Sequence, residues 1–151
     1  MPESFSENFK NDVTNYRAKV VEVQMPLKMC KNVYSSGELG TGIKEQSLII
    51  VTGKDLIVIT GCAHPGILKV LNKAKDLMKD DIFLALGGYH LAGKDRGEME
   101  KIVSSFKKLG VRYIGPSHCT GDAAKELFKK EYQTSFINVG VGKIITMEDL
   151  K

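Results

Sequence analysis

Three histidines occur in this 151-residue chain, and each ends the same kind of segment. An apolar, strand-like run leads into a turn of small residues, and an amphipathic helical pattern follows: LIVITGCAH ends at His64, IFLALGGYH at His90 and VRYIGPSH at His118. Imidazole is the commonest protein metal ligand and the side chain that titrates nearest neutral pH. In open α/β sheets the loops leaving the carboxyl ends of the strands line the rim where ligands bind. Three imidazoles on three such loops can converge, and the chemistry this pattern points to is metal binding or acid–base catalysis.

Their neighbours carry further chemistry. Cys62 lies two residues before His64 and Cys119 directly follows His118. A Cys–His nucleophilic site is therefore a second reading, one that needs an accessible thiol with a depressed pKa. Tyr89 precedes His90 in a Gly-Gly turn, and Thr120 is a candidate N-cap for the helix that follows Cys119. The amino terminus of that helix offers free N–H groups that favour anions. Glu45, in the turn before the SLII run, is placed to orient a ligand histidine through its carboxylate. Taken singly, each loop is also read as a histidine satisfied by backbone, a capped helix start or a small buried thiol. Their repetition at one topological place favours a site.

The elements that position these residues follow from periodicity. Residues 1–17 are polar and read as a loop or a loosely held helix, and KVVEVQM from Lys19 has the β-branched enrichment of a strand. SLIIVTGKDLIVITG predicts two strands joined by Gly53-Lys54-Asp55. The second of these is the more uniformly apolar, as a strand buried on both faces is. Ile67, Val70, Leu71, Ala74, Leu77 and Met78 recur at helical spacing, as do Met99, Ile102, Val103, Phe106 and Leu109. Asp95 and Glu98 form a capping-box pattern and Gly110 a C-cap. A shorter helix is expected from Asp122 to Lys130, and SFINVGVGKIITME reads as two short strands around Gly140 and Gly142. Three βα units in succession predict an α/β fold.

Composition narrows the function classes. The net charge of +4 arises from 22 basic and 18 acidic residues without a dense basic run, which does not indicate nucleic-acid binding. No stretch approaches the roughly 18 apolar residues of a membrane span, and the first segment lacks the apolar core of a signal peptide. A cytoplasmic protein is expected. Cys30, Cys62 and Cys119 are odd in number and form no CxxC pair, which fits a reducing compartment rather than a disulfide framework.

Together, GELGTGIKEQSLIIVTGKDLIVITGCAHPGI, LALGGYHL, GPSHCTG and VGVGKII resemble the C-terminal half of a metallo-β-lactamase-fold family. That family is the dihydropterin-methyl-ribofuranosylaminobenzene phosphate synthase-like proteins, metal-dependent hydrolases of β-lactamase superfamily II. The likeness runs from about Val33 to Ile145. It implies an αβ/βα sandwich with a mixed sheet, flanking helices and a dinuclear metal site at one rim. The metal would be zinc, or manganese or iron, activating water or organising a phosphate- or ester-bearing small molecule. His64 matches the histidine on the first metal and His118 the one on the second. His90 matches a position beside the site and is the candidate catalytic, proton-transferring residue. Glu45, Cys62, Tyr89, Cys119 and Thr120 are the candidates to support the ligands or touch substrate.

The family's His-x-His-x-Asp-His segment has no counterpart in this sequence. The expected organisation is thus a polar segment, 1–17, followed by one half-domain, 18–151. Such a half is expected to be inactive alone and to work as a homodimer or with a partner supplying the missing N-terminal half. A non-catalytic anion-binding or regulatory module on the same half-fold, and the Cys–His enzyme, are the alternatives.

Overall fold

A computed structural model describes residues 1–53 and 55–150. Lys54 and Lys151 lie outside the described residues, so the centre of the expected Gly53-Lys54-Asp55 turn does too. Six strands form one sheet in the order in which they occur: β1 (Leu27–Cys30), β2 (Val33–Ser35), β3 (Leu48–Thr52), β4 (Asp55–Thr60), β5 (Ile82–Gly87) and β6 (Tyr113–Pro116). β1 to β4 run as an antiparallel meander, whereas β4, β5 and β6 are parallel. Parallel neighbours need a crossover. Helices α2 (Ile67–Met78) and α3 (Arg96–Lys108) provide them, and α4 (Asp122–Tyr132) follows β6. A mixed sheet with flanking helices is the expected α/β architecture. Helix α1 (Glu7–Asn15) occupies the polar N-terminal segment, capped by Ser6, whose Oγ accepts from the Phe9 amide.

One face of the sheet carries the main core. Tyr34, Ile49, Val58, Ala85 and Ile114 are register partners across β2 to β6, and all pack in the cluster that includes the apolar stripes of α2, α3 and α4. Tyr89, Phe106 and Phe128 stack within it, with ring centroids 4.9 to 5.5 Å apart. Each such fully buried ring stabilises the fold by roughly 1.5–3 kcal/mol. This aromatic knot ties α3 and α4 to the loop that bears His90. Helix α3 ends in a Schellman arrangement: the amides of Gly110 and Val111 donate to the carbonyls of Lys107 and Phe106, and Gly110 takes φ +75° as such a cap requires.

The opposite face is apolar across the sheet but unevenly covered. Val33, Ile50, Ile57, Leu84 and Tyr113 form one cross-strand row, and Leu27, Ser35, Leu48, Ile59 and Leu86 form the next. Ile137, Ile145 and Leu150 of the C-terminal tail pack against the β5–β6 end. Toward β1 the cover thins, leaving Leu48 37% and Leu27 41% exposed.

Four expectations are corrected. Residues 19–25 form no strand. Val23 pairs instead with the N-terminal residues, through a bridge to Pro2 and an amide bond to the Met1 carbonyl, and the sheet starts only after Pro26. The tail around Gly140 and Gly142 forms no strands either: it touches the β6 edge only through a bridge from Phe136 to Ile114 and the Ile137 amide on the Ile114 carbonyl, and beyond that Ile145 and Leu150 pack over the sheet face. β4 alternates buried Leu56, Val58 and Thr60 with half-buried Ile57 and Ile59, so only its helix-facing side is fully covered. Only half of the α3 capping box forms: Asp95 accepts from the Glu98 amide, while the Glu98 carboxylate pairs with Lys94. Among the described residues no helix is long and apolar enough to cross a membrane.

Candidate metal centre

The loops after β4, β5 and β6 lie side by side and are laced by hydrogen bonds. The Gly88 amide donates to the Gly61 carbonyl at 2.8 Å, the Ser117 amide to the Gly87 carbonyl at 2.8 Å and the Ala92 amide to the Cys119 carbonyl at 3.3 Å. This lattice fixes the three histidine-bearing loops relative to one another.

His64 is gripped by Glu45. The His64 amide donates to Oε2 at 3.1 Å and ring Nδ1 lies 2.5 Å from Oε1. A carboxylate only accepts, so Nδ1 carries the hydrogen and Nε2 keeps its lone pair, the arrangement found behind metal-bound histidines. Glu45 reaches this position because its segment folds back through paired backbone bonds with Leu39, while Gly40 approaches Pro65.

His118 is oriented by a hydroxyl, which can donate or accept and so positions the ring without fixing its tautomer. Ser117 Oγ lies 3.0 Å from Nδ1, and Nε2 lies 3.1 Å from Cys62 Sγ. Cys119 Sγ donates to the Cys62 carbonyl at 3.4 Å. The donor atoms of Cys62, His118 and Cys119 all fall within 4.8 Å of one another, and so do those of Glu45, Cys62 and His64. In the second group Glu45 and His64 are already engaged with each other, so the carboxylate acts there as an orienting group. Burial, with the Cys119 thiol next in weight, pushes the Cys62 thiol up, away from the thiolate that a Cys–His nucleophile needs.

These residues fit a divalent metal. Imidazole and thiolate donors suit zinc and its neighbours, and the surroundings are shaped around them. A Cβ on Gly88 would come within 2.5 Å of Cys119 Sγ, 2.7 Å of the Gly61 carbonyl and 2.8 Å of His118 Cε1, so only glycine leaves room for the cluster. Thr60 Oγ1, two residues before Cys62, is buried without a hydrogen-bond partner among the described residues.

His90 is exposed and takes a left-handed backbone conformation, φ +50°, as does Ala63 at φ +61°. Non-glycine residues in this region are strained and cluster at functional sites. The His90 ring centroid lies 4.5 Å from that of His64. Both histidines line an open groove of about 360 Å³ with Lys69 and Lys94, at the start of α2, whose N-cap Gly66 offers no side chain. Tyr89 and Thr120 lie on the same loops but turn their side chains inward. The Tyr89 ring is in the core with its hydroxyl donating to the Ala85 carbonyl at 2.8 Å, and Thr120 is fully buried, its hydroxyl accepting from the Tyr89 amide. Thr120 therefore ties two loops together instead of capping α4, whose N-cap is Gly121. Sequence reasoning missed Ser117 and Gly88. A hydroxyl directly before a histidine, and a second glycine beside a turn glycine, were the only signals.

No family model matches the chain. A solved structure does: the crystal structure of a metal-dependent hydrolase of the β-lactamase superfamily superposes with a TM-score of 0.76 and 31% identity over 89% of this chain and 60% of that one. This chain has the fold of the matched part of that metal-dependent hydrolase. Among curated proteins, the 7,8-dihydropterin-6-methyl-4-(β-D-ribofuranosyl)-aminobenzene-5′-phosphate synthase of Methanocaldococcus jannaschii is 37% identical over 102 residues, 67% of this chain. An uncharacterized protein of the same organism is 33% identical over 147 residues. The chain spans 35% and 54% of the lengths of these two relatives. The homologues thus point to a metal-dependent hydrolase or synthase of the β-lactamase superfamily.

Proposed function

We propose that this chain carries the β4-to-α4 share of a metal-dependent hydrolase or synthase centre acting on a phosphate- or ester-bearing small molecule. The observation behind this reading is the pair of oriented histidines: Glu45 holds His64 and Ser117 holds His118, each by Nδ1, on two loops that share Cys62. In it, Nε2 of His64 and Nε2 of His118 hold metal, zinc being the expected ion. A bound metal would supply Lewis acidity toward a phosphoryl or ester oxygen and lower the pKa of a bound water.

The chain's own residues supply binding and proton transfer. Lys69 and the free N–H groups at the start of α2 make the groove beside His64 suited to a phosphate, while Lys94 is paired with the Glu98 carboxylate that also lines it. His90 projects from the same groove lining and is the group to move a proton to or from substrate. The Lys69 side of the same groove, at the start of α2, also favours a second reading, a module that binds an anion without turning it over. The exposed Leu27 and Leu48 end of the far sheet face calls for a further layer, and we assign it to a partner carrying the His-x-His-x-Asp-His segment or to a second copy of the chain. All three cysteines are free, as in a reducing, cytoplasmic setting.

Elemental analysis after zinc loading and dialysis tests the reading. Wild-type chain should retain metal, and His64→Ala and His118→Ala should each retain less. Equal retention by all three proteins would overturn it, and phosphate binding without metal would favour the anion-binding module.

A further inference from the structure

We propose that Cys62 and Cys119 are themselves metal ligands, forming with His118 a Cys2His position for a soft divalent cation such as zinc or cobalt. The inference rests on the metal-dependent reading above, but gives two thiols a role that reading leaves to imidazoles.

Geometry carries it. The three donor atoms lie within 4.8 Å of one another, and Cys62 Sγ faces His118 Nε2 at 3.1 Å. Tetrahedral zinc, with Zn–S near 2.3 Å and Zn–N near 2.0–2.1 Å, sets sulfur and nitrogen about 3.6 Å apart, so the Cys62–His118 pair has only to open by about half an ångström. The thiols come from loops after β4 and β6, 57 residues apart, and the Cys119 thiol and Cys62 carbonyl are already in hydrogen-bond contact. Both are half-buried at the rim, not packed in the core as structural thiols usually are. Gly88 completes the cradle, since its missing Cβ is what leaves space for both Cys119 Sγ and His118 Cε1. Ser117, on Nδ1, leaves Nε2 of His118 for the ion. On binding, each thiol gives one proton to solvent, and the neutral imidazole contributes a lone pair. Three protein ligands with one position open is the pattern of catalytic rather than structural zinc.

Cobalt(II) added to the reduced 151-residue chain tests this. The expected result is a near-ultraviolet thiolate-to-cobalt charge-transfer band saturating at about one ion per chain. Cys62→Ser and Cys119→Ser should each diminish it, while Cys30→Ser, on the exposed β1 strand, should leave it unchanged. To keep the test independent of variant folding, the wild-type chain is also alkylated with iodoacetamide with and without zinc and read by peptide mass spectrometry. Zinc should slow modification of Cys62 and Cys119 by roughly tenfold or more and spare Cys30 any effect. Bound cobalt with d–d bands but no charge-transfer band, together with unprotected thiols, would overturn the thiol ligation and leave an imidazole site standing. No cobalt binding by the wild-type chain would overturn both the inference and the metal reading.

Discussion

Glu45 accepts from two groups of one residue, the backbone amide and the ring Nδ1 of His64, across 19 positions of sequence. One carboxylate thereby fixes both the turn that carries the histidine and the tautomer of its ring. Partners of this kind typically matter to metal affinity by 10- to 100-fold. Glu45→Gln keeps the size but can offer its amide nitrogen to the ring, permitting the wrong tautomer. It should weaken zinc binding by roughly 10- to 100-fold with little loss of secondary structure. A competition titration against a chromogenic chelator measures the first and circular dichroism the second. Unchanged affinity would mean that His64 is not held for a metal.

Gly88→Ala probes the cradle directly. The added methyl would overlap Cys119 Sγ, the Gly61 carbonyl and His118 Cε1, and the carbonyl, tied to the Gly88 amide, cannot swing away. Overpacking of this sort costs about 1–3 kcal/mol. The thermal midpoint should fall by several degrees, and zinc should raise it less in the variant than in wild type. Equal zinc-induced stabilisation in both proteins would detach Gly88 from the site.

Much of this was legible in the sequence because the strongest signals are local. The α2 and α3 stripes, the β3–β4 strand pairing and the three βα loops depend on spacing within a few residues, and they form as read. KVVEVQM and the glycine-bearing tail were misread because β-branched composition says that a segment is extended, not what it pairs with. Val23 found Pro2, and Ile145 and Leu150 found the back of the sheet. Tyr89 and Thr120 sit beside the right loops but turn inward, a direction that spacing does not encode for irregular backbone. Glu45 could be suspected from its type, yet its bond to His64 depends on a long-range fold-back. The Cys62–Cys119–His118 grouping likewise joins strand ends that only the parallel register brings together.

Acid should loosen the segment that delivers Glu45. The Ser4 side chain first, then its amide and the Lys44 ammonium, hold the Glu38 carboxyl below the ordinary carboxylate range against the opposing effect of burial. A carboxylate with a depressed folded-state pKa contributes stability that is present above its unfolded value and lost as pH falls through the folded one. Hydrogen exchange in residues 1–5 and 37–45 should therefore accelerate, relative to the core, between neutral pH and about pH 3. Glu38→Gln should exchange faster at neutral pH and show less of that acid-dependent increase. An identical pH response in variant and wild type would assign the change to other carboxylates.

The far face of the sheet makes the last prediction. Rows running from Leu27 through Ser35, Leu48 and Ile59 to Leu86, and from Val33 through Ile50 and Ile57 to Leu84, form a surface that is apolar except at Ser35. The C-terminal tail covers it at only one end. Contiguous exposed apolar area beyond a few hundred Å² marks an interaction surface in a soluble protein. Light scattering across micromolar concentrations should show self-association, and Leu48→Lys, which places a charge on the 37%-exposed position, should shift the chain toward monomer. By the same logic, a polypeptide bearing the His-x-His-x-Asp-His segment should compete for this face and add the ligands that the described loops lack. The isolated chain should hold fewer than two metals and show no appreciable phosphodiesterase, esterase or β-lactamase turnover, and the mixture should gain both metal and activity. A strictly monomeric chain that holds two metals and turns over substrate without a partner would reverse this assignment, because the three βα loops would then build a complete centre alone.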